Sequence, residues 1–290
     1  MKRLLEKHLK IYSHEASPFL WIVFIFFAIF FVTAIFRNYV DAAFLKRYGP
    51  QYIPYMLVIN ALLTIVIFGF ADRLAKRLMD YYLLFGILSI YASSATILFF
   101  MVEADFSIAY PILYQLLYLL DSILLVYLWN IAGDLFNARQ GKRIFPLITA
   151  GQVLGTTLGS FSTKPATLIV GDNATLLIFA AVCLGVALFM IRTGAGLMGT
   201  HRPASTAMTK AGSSKRLTEV PGLMAKYPII RYLIITGLIP NILLPIFFYQ
   251  FSVIANNTFP SEQSLISFLS IFRGATTLTT FVLLFFMGRV

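Results

Sequence analysis

Four charged residues within or beside long apolar runs are the residues most able to do chemistry in this sequence. Asp121 lies midway along the fourth run, Arg273 lies inside the eighth, and Arg37 and Asp41 follow the first run four residues apart. An unpaired charge in hydrocarbon is expensive, so charged residues at such positions bind ligands, carry protons or pair with one another. We therefore interpret these four as candidates for binding a charged solute.

Each candidate has a structural alternative. Asp121 could bind a coupling proton, pair with a cationic group or close a structural ion pair, and Tyr118 shares its helical face. The Arg273 guanidinium offers fixed donors to a phosphate or a carboxylate, but it could equally pair with Asp121. Arg37 and Asp41 could form a solvated pair at the end of their span. With Tyr118, the four charged residues are the predicted substrate-binding set.

Catalytic and metal chemistry find little support in the sequence. The histidines, His8, His14 and His201, lie outside the apolar runs and far apart, so they do not form a metal-binding motif. No GxxxxGK[ST] phosphate-binding sequence occurs. We predict that the chain is not an enzyme and has no catalytic residues, no metal site and no cofactor.

The composition indicates how these residues are positioned. Hydrophobic residues make up 59% of the 290 residues and charged residues 12%, far from the roughly 25% charged residues of soluble domains. The mean hydropathy is +0.82. Because about 20 apolar helical residues span a hydrocarbon core, we predict an all-α, polytopic membrane bundle with spans at 18–36, 53–71, 81–102, 108–132, 145–162, 173–191, 229–254 and 264–287.

The basic residues indicate an orientation. Sixteen Lys and Arg residues fall in the N-terminal segment and alternate connections, against four in the other connections. The positive-inside rule therefore predicts a cytoplasmic N-terminus. The net charge of +11 reflects this topology, so no nucleic acid partner is expected. We predict an integral protein of the bacterial inner membrane, in contact with lipid and monomeric.

The spacing of the spans predicts four segments. They are an amphipathic cytoplasmic N-terminus at 1–17, a six-helix half at 18–191, a basic cytoplasmic linker at 192–228 and the start of a second half at 229–290. Six spans, a basic linker and further spans are typical of transporters built from two related halves. We therefore expect 8 helices of a 12-helix architecture in a truncated chain; the alternative is a complete eight-helix protein.

The stretch FGFADRLAKRLMD, with Gly69, Asp72, Arg73 and Arg77, resembles the signature between helices two and three of the major facilitator superfamily. In that superfamily the motif helps to close one face of the transporter. Gly151, Gly155 and Gly159 recur every four residues on the fifth span, a spacing that permits close helix packing. For the first motif the alternative is a chance aspartate in a basic loop. For the three glycines the alternative is generic helix packing.

The stretch from Trp129 to Gly155 resembles the ATP:ADP antiporters, a family of nucleotide transporters. The matching positions include Gly133, Asp134, Lys142, Arg143 and Gly151. A second match begins at RNYVD, where Arg37 and Asp41 agree with the family while Asn38 and Val40 replace charged residues. A third lies in YQFSVIANNTFPSEQSLISFLSIFRG. The resemblance implies a divergent bacterial relative.

Together these features favour a secondary active transporter that moves a small anionic solute by alternating access. The resemblance implies a nucleotide, through ATP/ADP exchange by an antiporter, or another phosphorylated metabolite. The alternative is a non-transporting membrane module that anchors a regulatory domain beyond the C-terminus. The residues expected to gate the cytoplasmic side are Asp72, Arg73, Arg77, Asp134, Arg139 and Arg143.

Overall fold

A computed structural model describes residues 12, 15–75, 78–198 and 228–287, and these residues form eight long helices. The helices are α1 (Ala16–Tyr48), α2 (Ile53–Ala75), α3 (Asp80–Glu103), α4 (Ala109–Leu135), α5 (Ala138–Val170), α6 (Thr175–Met198), α7 (Pro228–Thr258) and α8 (Glu262–Met287). A 3₁₀ turn, Pro50–Tyr52, joins α1 to α2. Each helix contains a segment long and apolar enough to cross a membrane. The predicted all-α, polytopic bundle is confirmed.

Helix α1 is longer than its predicted span at 18–36. It continues for three more turns to Tyr48, so Arg37 and Asp41 lie inside the helix and not in the loop that follows. The helix ends at Gly49, whose φ of 84° favours glycine and whose amide donates to the Leu45 carbonyl. The sequence placed the boundary too early because a charged residue interrupts the apolar run there.

Helix α5 begins earlier than its predicted span at 145–162. Asn137 accepts hydrogen bonds from the amides of Arg139 and Gln140 at 3.1 and 3.0 Å, and the Gln140 side chain accepts one from the Asn137 amide at 2.9 Å. This reciprocal capping box satisfies amides that otherwise have no partner in a first helical turn. The predicted start of this span at residue 145 is therefore wrong, since Arg139 and Arg143 already lie on the first turns of α5.

Helix α1 forms the centre of the described bundle. It packs most extensively against α5 and also contacts α4, α6 and α8, while α3 packs against α6. In its most apolar stretch 61% of the residues are buried, against 6% in α2 and 11% in α7. Side chains on α1 can therefore reach several helices at once, whereas α2 and α7 present most of their surface outwards.

The close approach of α1 and α5 depends on the three glycines spaced by four. A Cβ atom on Gly151 would lie 2.8 Å from the Val23 side chain, and one on Gly155 would lie 2.5 Å from the Phe27 carbonyl oxygen. A Cβ on Gly159 would collide with the backbone of Phe31. Small residues at this spacing let two membrane helices approach along their backbones.

The helix ends define two sides of the bundle. The N-terminal side contains Glu15 and the α4–α5 turn, and the far side contains Gly49, the α5–α6 turn and the start of α8. The described residues reach the predicted N-terminal segment, 1–17, only at residues 12 and 15–17. Of the predicted linker, residues 199–227 lie outside the described part, while α6 continues to Met198.

Candidate functional site

Two ion pairs lie side by side among α1, α4 and α8. Arg37 on α1 pairs with Asp121 on α4. Asp41, one turn further along α1, accepts a hydrogen bond of 2.6 Å from the Arg273 guanidinium on α8. The spacing of four places both α1 residues on one helical face, yet each pairs with a different helix. The alternative pairing of Asp121 with Arg273 is therefore wrong.

The Asp41–Arg273 pair is supported by two uncharged residues that the sequence interpretation missed. A second guanidinium nitrogen of Arg273 donates to the Asn38 side-chain oxygen at 3.0 Å, and the Asn38 amide donates to the Thr163 hydroxyl at 2.9 Å. Asn38 and Thr163 are completely buried. The close packing of α1 and α5 brings Thr163 to this position. Their polar side chains within membrane spans could have marked Asn38 and Thr163 as candidates. Their partners could not be predicted, because the bonded residues are far apart in sequence.

We call these residues the central cluster: Arg37, Asn38, Asp41, Asp121, Thr163 and Arg273, with Tyr114 and Tyr118. Asp121 and Arg273 each lie near the middle of their helix. In a membrane these positions are deep in hydrocarbon, where charged residues pair with one another or line a polar cavity. Pairing accounts for all four charged residues of the cluster.

The two ion pairs differ in exposure. The side chains of Arg37 and Asp121 are 32% and 26% exposed, whereas those of Arg273 and Asp41 are 18% and 1% exposed. The expectation that Arg37 and Asp41 form one solvated pair at the end of a span is wrong, because Asp41 is buried inside α1. The Arg37–Asp121 pair therefore borders accessible space, and the Asp41–Arg273 pair is enclosed by protein.

Tyrosine rings surround the more exposed pair. The Arg37 guanidinium lies 5.7 Å from the centre of the Tyr118 ring, which itself lies 4.6 Å from the ring of Tyr114. A cation over an aromatic face is stabilised by the ring quadrupole. Tyr118, predicted from its position on the face of Asp121, is thus in contact with the cluster through Arg37.

Two buried polar atoms of the cluster have no hydrogen-bond partner among the described residues. They are the Oδ1 atom of Asp41 and, apart from its interaction with Tyr118, the hydroxyl of Tyr114. Buried polar groups are nearly always satisfied, and each that is not calls for an explanation. The Asp41 carboxylate is held through its other oxygen, Oδ2, by the Arg273 guanidinium.

The residues predicted to gate the N-terminal side are only partly brought together. Arg143 pairs with Glu15 at 2.5 Å, and Gln140 also donates to Glu15 at 2.9 Å. Arg73 and Arg139 are exposed, and Asp134 is half-buried. Arg77 and the side chain of Asp72 lie outside the described residues. Glu15, which is nearly buried, is the partner that sequence reasoning missed.

The far side has an ion pair and a cavity that the sequence did not indicate. Arg47, near the end of α1, pairs with Glu262 at the start of α8 at 2.5 Å, and its guanidinium lies 4.0 Å from the centre of the Tyr110 ring. Beside this pair is a cavity of about 390 Å³ that Glu103 and Asn173 also line. These contacts join the ends of α1, α3, α5 and α8.

Comparison with family models, curated proteins and solved structures finds no match to this chain. The resemblance to nucleotide transporters therefore stays a prediction.

Proposed function

We propose that this protein is a secondary active transporter that moves a small anionic solute across a membrane by alternating access. The observation that supports this function is the central cluster: paired charges from α1, α4 and α8 meet near the middle of α4 and α8. One of the pairs borders accessible space. Arginine is well suited to bind phosphate and carboxylate because its guanidinium offers several donors in fixed directions.

In this proposal Arg37 binds the anionic group of the solute. It is the more exposed of the two cluster arginines, and its only described ion-pair partner is Asp121. Arg273 holds α8 against α1 through Asp41 and Asn38, so it is a positioning residue. The resemblance to ATP:ADP antiporters suggests a nucleotide or another phosphorylated metabolite as the solute. The orientation proposed from the basic residues places the N-terminal side in the cytoplasm of a bacterium.

Alternating access requires that contacts at one side of the bundle form while those at the other side break. In the described conformation the Glu15–Arg143 pair is formed on the N-terminal side. We propose that this pair closes the cytoplasmic entrance together with Asp72, Arg73, Asp134 and Arg139.

Counterflow in proteoliposomes tests the proposal. The reconstituted full chain is loaded with unlabelled ATP, ADP or inorganic phosphate, and entry of the same labelled anion is measured. We expect exchange of at least one of the three. Replacing both members of the exposed pair, Arg37→Gln with Asp121→Asn, leaves no unpaired charge and should reduce exchange roughly tenfold or more, since a hydrogen bond to a charged group contributes about 1.5–3 kcal/mol.

The matched control is Arg47→Gln with Glu262→Gln, which removes an ion pair outside the central cluster. This variant should retain most of the wild-type exchange, and size-exclusion chromatography should show that both double variants are folded. If no anion is exchanged by the wild type, or if both double variants lose exchange equally, the central cluster is not an anion site.

A further inference from the structure

The charges of the central cluster cancel. Arg37 and Arg273 contribute two positive charges, and Asp41 and Asp121 contribute two negative charges. A net charge deep in a membrane protein is costly, because it is removed from water without compensation. If the proposed function is correct, binding one anion to this neutral cluster adds a negative charge. A positive charge must then enter with the anion for the site to stay neutral.

The geometry of the two pairs identifies the residue that can accept this charge. Asp41 is buried and held by Arg273, which is also bonded to Asn38. The Asp121 side chain is 26% exposed, and its described ion pair is to Arg37 alone. An anion that binds Arg37 competes directly with the Asp121 carboxylate. Asp121 is thus the carboxylate that loses its partner when the solute binds, and it is the more exposed of the two carboxylates in the cluster.

The other groups around Asp121 are poor alternatives for this role. On its own helix the nearby titratable groups are Tyr114 and Tyr118, which interact electrostatically with Asp41 on α1. Among the described residues, α1 contributes Arg37, which pairs with Asp121, and Asp41 one turn away, while its Lys46 and Arg47 lie in the last turn of the helix. The charged residues of α2, α3 and α7 lie only near the ends of those helices, at Asp72, Arg73, Asp80, Glu103 and Arg231.

We propose that Asp121 is the proton-coupling residue of the transporter. Protonation of its carboxylate releases Arg37, which stays beside the Tyr118 ring and binds the anion. The proton comes from the water on the side from which the solute enters. It returns to the water on the other side when the solute leaves and the Arg37–Asp121 pair forms again. For a solute with one negative charge, such as the phosphate monoanion, one proton and one negative charge then cross together, and the cluster stays neutral throughout.

The test compares gradient-driven uptake with counterflow in proteoliposomes that contain the full chain. The probe is the labelled anion that the wild type exchanges, out of ATP, ADP and inorganic phosphate. An inward proton gradient should accelerate wild-type uptake. Asp121→Asn, which imitates the protonated carboxyl group, should take up the anion at the same rate with and without the gradient, whatever its rate of counterflow. Asp121→Glu should restore the acceleration, and Asp121→Ser replaces the asparagine variant if that variant does not fold.

Glu262→Gln is the matched control, because it removes a carboxylate from an ion pair outside the central cluster and should keep the response to the gradient. Counterflow without acceleration in the wild type would overturn proton coupling and leave the transport function intact. Loss of the acceleration in Asp41→Asn but not in Asp121→Asn would also overturn the assignment. Absence of wild-type counterflow contradicts both the function and the coupling.

Discussion

Helices α1 and α8 are joined by two ion pairs, one in the central cluster and one at the far side of the bundle. In the central pair, Asp41 is 1% and Arg273 18% exposed, and the carboxylate and guanidinium are 2.6 Å apart. In the far-side pair, Arg47 is 37% and Glu262 20% exposed, at 2.5 Å. The two pairs have similar distances and the same chemistry, but their side chains are exposed to different extents.

This difference determines what each pair can contribute. A buried charge that loses its partner stays unpaired in a medium of low dielectric constant, whereas an exposed charge is solvated and screened. The central pair is also fixed by Asn38, through hydrogen bonds to Arg273 and Thr163. We infer that α8 is fixed to α1 mainly at its middle, where the candidate site lies, and much less at its end.

Removing Arg273 is the strongest way to test this inference. Arg273→Ala leaves the Asp41 carboxylate buried and unpaired, and breaking a buried pair in this way costs about 3–5 kcal/mol. We expect a large decrease in the thermal unfolding temperature of the purified protein in detergent. Asp41→Asn with Arg273→Gln, which removes both charges, should recover much of that loss. If Arg273→Ala unfolds at the wild-type temperature, the central pair does not hold the helices together.

A methyl group on Gly159 should weaken the central pair indirectly. Gly159→Ala places a Cβ against the Phe31 backbone, and backbone cannot move aside as a flexible side chain does. Overpacking of this kind costs about 1–3 kcal/mol. As α5 moves away from α1, the hydrogen bond between Asn38 and Thr163 should lengthen. The expected result is a smaller decrease in unfolding temperature than in Arg273→Ala, together with slower anion exchange.

Gly86→Ala on α3 is the control for the glycine substitution. No atom lies within 4 Å of a Cβ built at Gly86, and alanine is favoured over glycine inside a helix by about 0.5–1 kcal/mol. This variant should unfold at the wild-type temperature or slightly above it. An equal loss of stability in both variants would show that the close approach of α1 and α5 at Gly159 has no special role.

The eight spans could be predicted from the sequence because apolar length alone indicates a helix that crosses a membrane. The end of α1 could not be predicted in this way. A hydropathy pattern stops at Arg37, but the helix continues to Tyr48 because Arg37 and Asp41 find partners on other helices. Those partners, Asp121 and Arg273, are separated from α1 by long stretches of sequence that no local pattern bridges.

The candidate site was predictable in its charged members but not in its pairing. The cost of a charge in hydrocarbon identified Asp121 and Arg273, yet both are paired with residues of α1 and not with each other. Asn38 was interpreted only as a replacement for a charged residue, although it links Arg273 to Thr163. Its role depends on helix packing at Gly159, which spacing alone does not specify.

Removing the far-side pair should have the smallest effect on the unfolding temperature. Arg47→Ala leaves Glu262 partly exposed, so water can solvate the carboxylate, and exposed pairs contribute only about 0.2–1 kcal/mol. We expect a small decrease in unfolding temperature that becomes smaller still at high salt, because ions screen exposed charges. The decrease caused by Arg273→Ala should persist at high salt. The contrary result would be that Arg47→Ala destabilises the protein as much as Arg273→Ala, and does so equally at all salt concentrations. In that case α8 is held at its end, and the difference in exposure between the two pairs does not determine how much each contributes to stability.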